Sequence, residues 1–175
     1  MLVPEVVEAV RPFAEEAGRP IPVIAAGGVY TGADILKFLK MGAGGVQMGT
    51  RFVATHECDA APAFKQAYLD AKESDICLIK SPVGLPGRAI RNRFLDDVDR
   101  GLCVPDACVY KCMHGCECGA DLFCISEALI DAKKGDVKGG LLFAGKNAWR
   151  VNSIVSVQEL IDSLAKEYEE AVAAA

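Results

Sequence analysis

Within residues 21–50 a short strand-like segment closed by a glycine turn occurs twice, and this pattern most narrows what the chain can fold into. Pro22-Val23-Ile24-Ala25-Ala26 is closed by Gly27-Gly28, and Gly45-Val46-Gln47-Met48 is closed by Gly49-Thr50. The first, an unbroken apolar run, suits a strand covered on both faces, as in parallel sheets, and the second reads as the next strand. Between them, Thr31 and Asp34 form a capping-box-like helix start, Ile35, Leu36 and Leu39 supply one apolar side, and Gly42 is a terminator. The segment from Ile21 to Thr50 therefore has the order and length of one βαβ crossover.

Strands joined in this way lie side by side, so their terminal turns do too. A glycine lets backbone N–H groups approach an anion closely because no Cβ intervenes. A helix start at the same place adds dipole and unpaired donors, and Thr50 adds a hydroxyl. In (β/α)8 barrels the turns after the last two strands commonly hold phosphate. A single Gly-Gly would be read as a tight turn and nothing more. The pair is read as a phosphate cradle, with Gly27, Gly28, Gly49 and Thr50 as its residues.

The flanking sequence is helix-rich. Val6, Val7, Val10, Phe13, Ala14 and Ala17 form a helical stripe, with Pro4 suited to its first turn and Pro12 expected to kink or shorten it. A helix is expected from about Pro62 to Lys72, a strand over Ile76–Ile79, and a loop over Ser81–Arg93, where two prolines and two glycines fall. Another helix is expected from near Leu122 to Lys134, capped by Asp121 and stopped by Gly135. A last helix begins at the capping box Ser156/Glu159, buries Val157, Leu160, Ile161, Leu164 and Tyr168, and frays after Val172. Residues 1–95 read as barrel βα units carrying the cradle, and 96–175 as a cysteine-rich segment and helices packing on them.

The charge balance is 19 basic against 24 acidic residues, a net −5 without a basic cluster, so a nucleic-acid partner is unsupported. No apolar run approaches membrane-spanning length and no signal peptide is visible, which gives a cytoplasmic reading without a membrane partner. Of the eight cysteines, Cys103, Cys108, Cys112, Cys116, Cys118 and Cys124 crowd one stretch. Clustering without a secretion signal favours a metal site or reactive thiols over disulfides. If the segment is helical, Cys108, Cys112 and Cys116 share one face, and Cys124 falls in the first turn of the next helix. Four such thiolates suit an iron–sulfur cluster or zinc, with Cys103 and Cys118 as alternative ligands. The competing reading is ordinary reduced thiols. Cys58 and Cys77 read as isolated core or surface residues, His56 as a surface or capping residue, and His114 equally as a ligand or a surface group. Arg88, Arg91 and Arg93 form a basic patch; Arg93 reads as solvated, while Arg88 and Arg91 stay open as contacts to an anionic group.

Ile21-Pro22-Val23-Ile24-Ala25-Ala26-Gly27-Gly28-Val29 resembles the seventh strand and turn of nitronate monooxygenases. Gly42-Ala43-Gly44-Gly45-Val46-Gln47-Met48-Gly49-Thr50-Arg51-Phe52, with Glu57 after it, resembles their eighth. Flavoprotein enoyl-acyl-carrier-protein reductases of type II share both strings. The resemblance continues into Gly87-Arg88-Ala89-Ile90-Arg91-Asn92 and Ser156-Val157-Gln158-Glu159-Leu160. Inosine-monophosphate dehydrogenases grip phosphate similarly, but the Gln-Met-Gly-Thr-Arg-Phe wording is closer to the flavin family.

The resemblance implies the carboxy-terminal portion of a (β/α)8 barrel, with FMN phosphate on Gly27, Gly28, Gln47, Gly49 and Thr50. It implies an FMN-dependent oxidoreductase acting on a small molecule. One alternative is an NAD(P)H-dependent reductase of enoyl-thioester or quinone type. Another is that the chain alone is a non-catalytic metal- or partner-binding module. The family's acid/base histidine lies on a loop upstream of the matching strings, so no catalytic residue is named. A closed barrel needs eight strands, so the chain is expected to be a fragment, or one part of a split barrel, that pairs with a missing barrel half or self-associates.

Overall fold

The computed structural model describes residues 2–108, 110–112 and 116–175. Its contacts group the chain into two compact units, Met1–His56 with Val155–Ala175, and Glu57–Ile154.

The first unit is built on the βαβ pattern. It opens with helix α1 (Leu2–Ala17), which runs through Pro12 rather than stopping there. Pro12 removes a hydrogen bond to the carbonyl of Glu8, and Glu8 is exposed, where water can serve that carbonyl instead. None of the described residues of α1 is buried. Strand β1 (Ile24–Ala26) pairs in parallel with β2 (Gly45–Gln47), with Ile24 opposite Gly45, Ala25 opposite Val46 and Ala26 opposite Gln47. The crossover is α2 (Gly32–Lys40), with both halves of the Thr31/Asp34 capping box formed. A four-residue helix, α3 (Thr50–Val53), follows β2 directly. Helix α7 (Val157–Ala173) begins at the Ser156/Glu159 capping box, packs along α2 and buries Leu160 and Leu164. The contact with α2 is backbone-close: a Cβ on Gly32 would lie 2.6 Å from the Leu164 carbonyl oxygen.

Continuous apolarity of the first run leads to an expectation of burial on both faces. The structure covers one. Ala25 is 3% exposed, whereas its neighbour Ile24 is 52% exposed. Successive strand side chains point to opposite faces, so the face bearing Ala25 is covered and the face bearing Ile24 is open. The sheet has two strands among the described residues and forms no closed barrel.

The second unit holds α4 (Pro62–Asp70), an antiparallel pair of β3 (Ile76–Ile79) and β4 (Gly87–Ile90), α5 (Arg93–Asp99) and α6 (Ile125–Lys134). Its core gathers Ala89, Phe94, Leu95, Val98, Phe123, Ala128 and Leu141. The rings of Phe94 and Phe123 meet edge to face at 5.3 Å, a favoured arrangement of aromatic quadrupoles. The expected loop over Ser81–Arg93 is half wrong: it contains β4 and leads into α5. Ala89 and Ile90 are buried by β3 and by the chain at Leu142, whose carbonyl accepts from Ile90 N–H at 3.0 Å. Asn92 caps α5 by accepting from Leu95 N–H at 3.1 Å. Helix α6 starts later than expected, with Cys124 at its cap position. Asp121 instead accepts from Glu117 N–H at 2.8 Å. Gly135, at φ +110°, ends α6 in the left-handed conformation expected of a terminator.

Candidate phosphate-binding site

Because Ala26 is paired with Gln47, the turns that follow the two strands lie beside each other. Gly27 and Gly28 take φ of +86° and +77°. Two consecutive left-handed residues turn the chain sharply, and a side chain at either would be strained. Backbone conformation alone therefore requires glycine at these two positions.

Gly49 is different. Its φ is −117° and its ψ −53°, an ordinary right-handed backbone, and a Cβ built on it would meet no atom within 4 Å. Neither conformation nor internal packing requires glycine there. Gly49 is also exposed, as are Gly27, Gly28 and Gln47, while Thr50, the first residue of α3, is half-buried.

The start of α2 does not supply the open donors expected of it. Asp34 Oδ2 accepts from the backbone N–H groups of Tyr30 and Thr31, each at 3.0 Å. Thr31 Oγ1 accepts from Asp34 N–H at 3.2 Å, and Glu167 Oε2 accepts from Gly32 N–H at 2.8 Å. Two carboxylates of the chain thus already occupy the N–H groups of Tyr30, Thr31 and Gly32 at the positive end of this helix. Helix α3 is too short to compensate.

One feature of the site is not evident from spacing. Arg51 donates from its guanidinium to the Tyr30 carbonyl oxygen at 2.9 Å and lies over the Tyr30 ring, 4.6 Å from its centroid. The arginine follows the second turn by one residue, and the tyrosine follows the first by two. The clasp ties together the two segments leaving the turns. Arg51 stands in a family-like string in the sequence, but nothing in that string pairs it with Tyr30.

The other expected groups fall elsewhere. Among the described residues no three His, Cys, Asp or Glu side chains converge as metal donors, so the iron–sulfur or zinc reading of Cys108, Cys112, Cys116 and Cys124 finds no support there. Their spacing would align them only on a helix, and the described residues here form turns and bends. Cys112 accepts from the Ser126 hydroxyl at 2.9 Å, and Cys108 accepts from Lys111 N–H at 3.3 Å. Hydrogen bonding to Asp121 pushes the Cys116 thiol up to about 12, the opposite of a ready thiolate. Cys103 packs against the core of the second unit, where burial raises its thiol. Cys77 donates weakly to the Ala89 carbonyl. Arg91 pairs with Asp96 and Asp99, and Arg93 with Asp97. His56 is exposed, with its N–H bonded to the Val155 carbonyl at 2.9 Å. His114 lies outside the described residues. No helix among the described residues is long and apolar enough to cross a membrane.

The parallel pairing of β1 and β2 through α2 makes the first unit an α/β crossover whose two glycine turns lie side by side. The comparisons make the class specific. The family model described as nitronate monooxygenase matches residues 1–167, and the chain belongs to that family. A probable nitronate monooxygenase of Staphylococcus aureus (strain Newman) is 36% identical over 99 residues, which is 57% of this chain and 25% of the relative. Among solved structures, FabK from Thermotoga maritima superposes with TM-score 0.72 at 27% identity, covering 98% of this chain and 49% of that one. A nitroalkane oxidase from Streptomyces ansochromogenes gives TM-score 0.68 at 28% identity, covering 98% and 45%. The chain thus spans a quarter of the length of the curated relatives it matches and about half of the matched structures.

Proposed function

We propose that this chain carries the flavin-phosphate portion of an FMN-dependent oxidoreductase of nitronate monooxygenase type, built on the carboxy-terminal units of a (β/α)8 barrel. The phosphate would be held by Gly27, Gly28, Gly49 and Thr50, with Gln47 at the end of β2 beside them. The observation that carries this reading is Gly49, a glycine that its own protein does not require. An approaching ligand atom accounts for it, because a phosphate oxygen bonding to backbone N–H groups needs the space a Cβ would take. The donors at the start of α2 are occupied by Asp34 and Glu167, so the anion is assigned to the turns themselves. Bound FMN supplies the redox chemistry, and the residues described here bind and orient its phosphate. They do not include a group assigned to proton transfer, and none is proposed.

The test compares FMN, FAD and riboflavin, titrated into the isotope-labelled full chain and followed by amide resonances. FMN is expected to move the signals of Gly27, Gly28, Gly49 and Thr50, while riboflavin, which lacks the phosphate, leaves them in place. Equal responses to FMN and riboflavin would overturn the site.

The similarity to FabK favours a second reading, an NAD(P)H-dependent flavin reductase acting on an enoyl thioester or a quinone. Anaerobic mixing of the flavin-loaded protein with NADH separates the two. Rapid bleaching of the flavin supports the reductase. Absence of bleaching, with oxygen uptake when a nitronate is added, supports the monooxygenase.

A further inference from the structure

We infer that Arg51 is a positioning residue, which sets the spacing of the two phosphate-binding turns through its clasp on Tyr30. The inference rests on the phosphate reading of those turns and adds to it a residue outside the turns.

The geometry is specific. The Tyr30 backbone is held at its N–H by Asp34 and at its carbonyl by Arg51. Its ring is buried, 8% exposed, with the guanidinium stacked 4.6 Å from its centroid. Arg51 therefore grips Tyr30 twice, once through a hydrogen bond to the main chain and once through the face of the ring. Planar guanidinium suits both contacts together, whereas an ammonium is a single point charge. Only Val29 separates Tyr30 from Gly28, and Arg51 is two residues beyond Gly49. β1–β2 pairing fixes only the near side of the first turn, so holding its far side at a set distance from the second turn needs a further restraint. The clasp supplies that restraint from the second turn. An anion contacting both turns would then meet donors already at one spacing, and the ordering cost otherwise charged to binding falls.

The test reads the ratio of FMN to riboflavin affinity in the full chain, measured by the same amide titration, for wild type, Arg51→Lys, Arg51→Met and Tyr30→Leu. A residue serving only the fold would lower melting temperature and leave the ratio alone. The expected result is a loss of about tenfold in the ratio for Arg51→Met. Arg51→Lys should recover only part of it, and Tyr30→Leu should lose about fivefold although its net charge is unchanged. Amide shifts should also spread from Gly49 to Val29 across the clasp. If wild type itself shows no preference for FMN, the phosphate reading fails. If wild type prefers FMN and Tyr30→Leu keeps the full ratio, Arg51 acts by charge alone and the clasp is refuted. An unchanged ratio in Arg51→Met refutes any role for the arginine. Should Tyr30→Leu fail to fold, Tyr30→Phe gives a control and Arg51→Lys decides: full retention of the ratio counts against the clasp.

Discussion

Substituting Gly49 separates a glycine kept for the fold from one kept for a ligand. At φ −117° with no atom within 4 Å of a Cβ, Gly49→Ala meets no internal obstacle. Replacing glycine at a compatible position restricts the unfolded chain, so Gly49→Ala should be neutral or stabilising by about 0.4–1 kcal/mol. Gly27→Ala is the contrast. Its φ of +86° forces alanine into a left-handed backbone, a cost of about 1–2 kcal/mol. For the ligand the order reverses in cleanliness. A valine at position 49 denies the phosphate one or two charge-assisted hydrogen bonds of about 1.5–3 kcal/mol each, a loss of about ten- to a hundredfold or more in FMN affinity. Urea denaturation measures the first quantity. FMN titration, with riboflavin as the phosphate-free control, measures the second. A Gly49→Val chain that is as stable as wild type and keeps its preference for FMN would refute the reasoning, because the space in front of Gly49 would then have no occupant.

Gly32→Ala should destabilise the first unit by about 1–3 kcal/mol through overpacking, since its Cβ would press on the backbone of α7 near Leu164; an unchanged urea midpoint would contradict the close approach. Hydrogen bonds from the Ser156 backbone and hydroxyl hold the Glu159 carboxyl below the usual glutamate range. A lowered carboxyl stabilises the fold above its unfolded value and loses that stabilisation as pH falls through the folded one. Wild type should therefore lose stability relative to Glu159→Gln below about pH 4.3, as read from paired melting curves, and parallel curves would contradict the capping box. The open face of β1, with Ile24 half exposed, and helix α1, with Phe13 63% exposed, should drive association. Size-exclusion chromatography with near-ultraviolet circular dichroism should report a complex or self-associated species, and a compact, well-packed monomer at low concentration would count against the barrel reading.

The parts of this fold legible in the sequence are those set by local chemistry. Thr31/Asp34 and Ser156/Glu159 announce two helix starts because each pair satisfies its own orphan amides, whatever surrounds it. Gly135 ends α6 for an equally local reason, its left-handed φ. What was hidden depends on partners remote in sequence. Strand β4 is masked by the prolines and glycines beside it, and its burial comes from β3 and from Leu142. The cysteine spacing suggested converging ligands only on the assumption of a helix. Asp121, which the sequence places as a helix cap, instead accepts from Glu117 N–H and from the Cys116 thiol.

The same distinction applies within the candidate site. Gly27, Gly28 and Gly49 look alike as letters, and the sequence pattern treats them as one cradle. Their backbones divide them: the first two are glycine because the chain must turn, and only the third is glycine without an internal reason. The helix-start argument also changes once Glu167, distant in sequence, bonds to Gly32 N–H. A carboxylate there competes with any anion for the end of α2, so the proposed phosphate site rests on the two turns and not on the helix start. The functional weight of the glycine pattern therefore shifts from a pair of dipeptides to one residue, Gly49, and to the side chain that stands two positions after it.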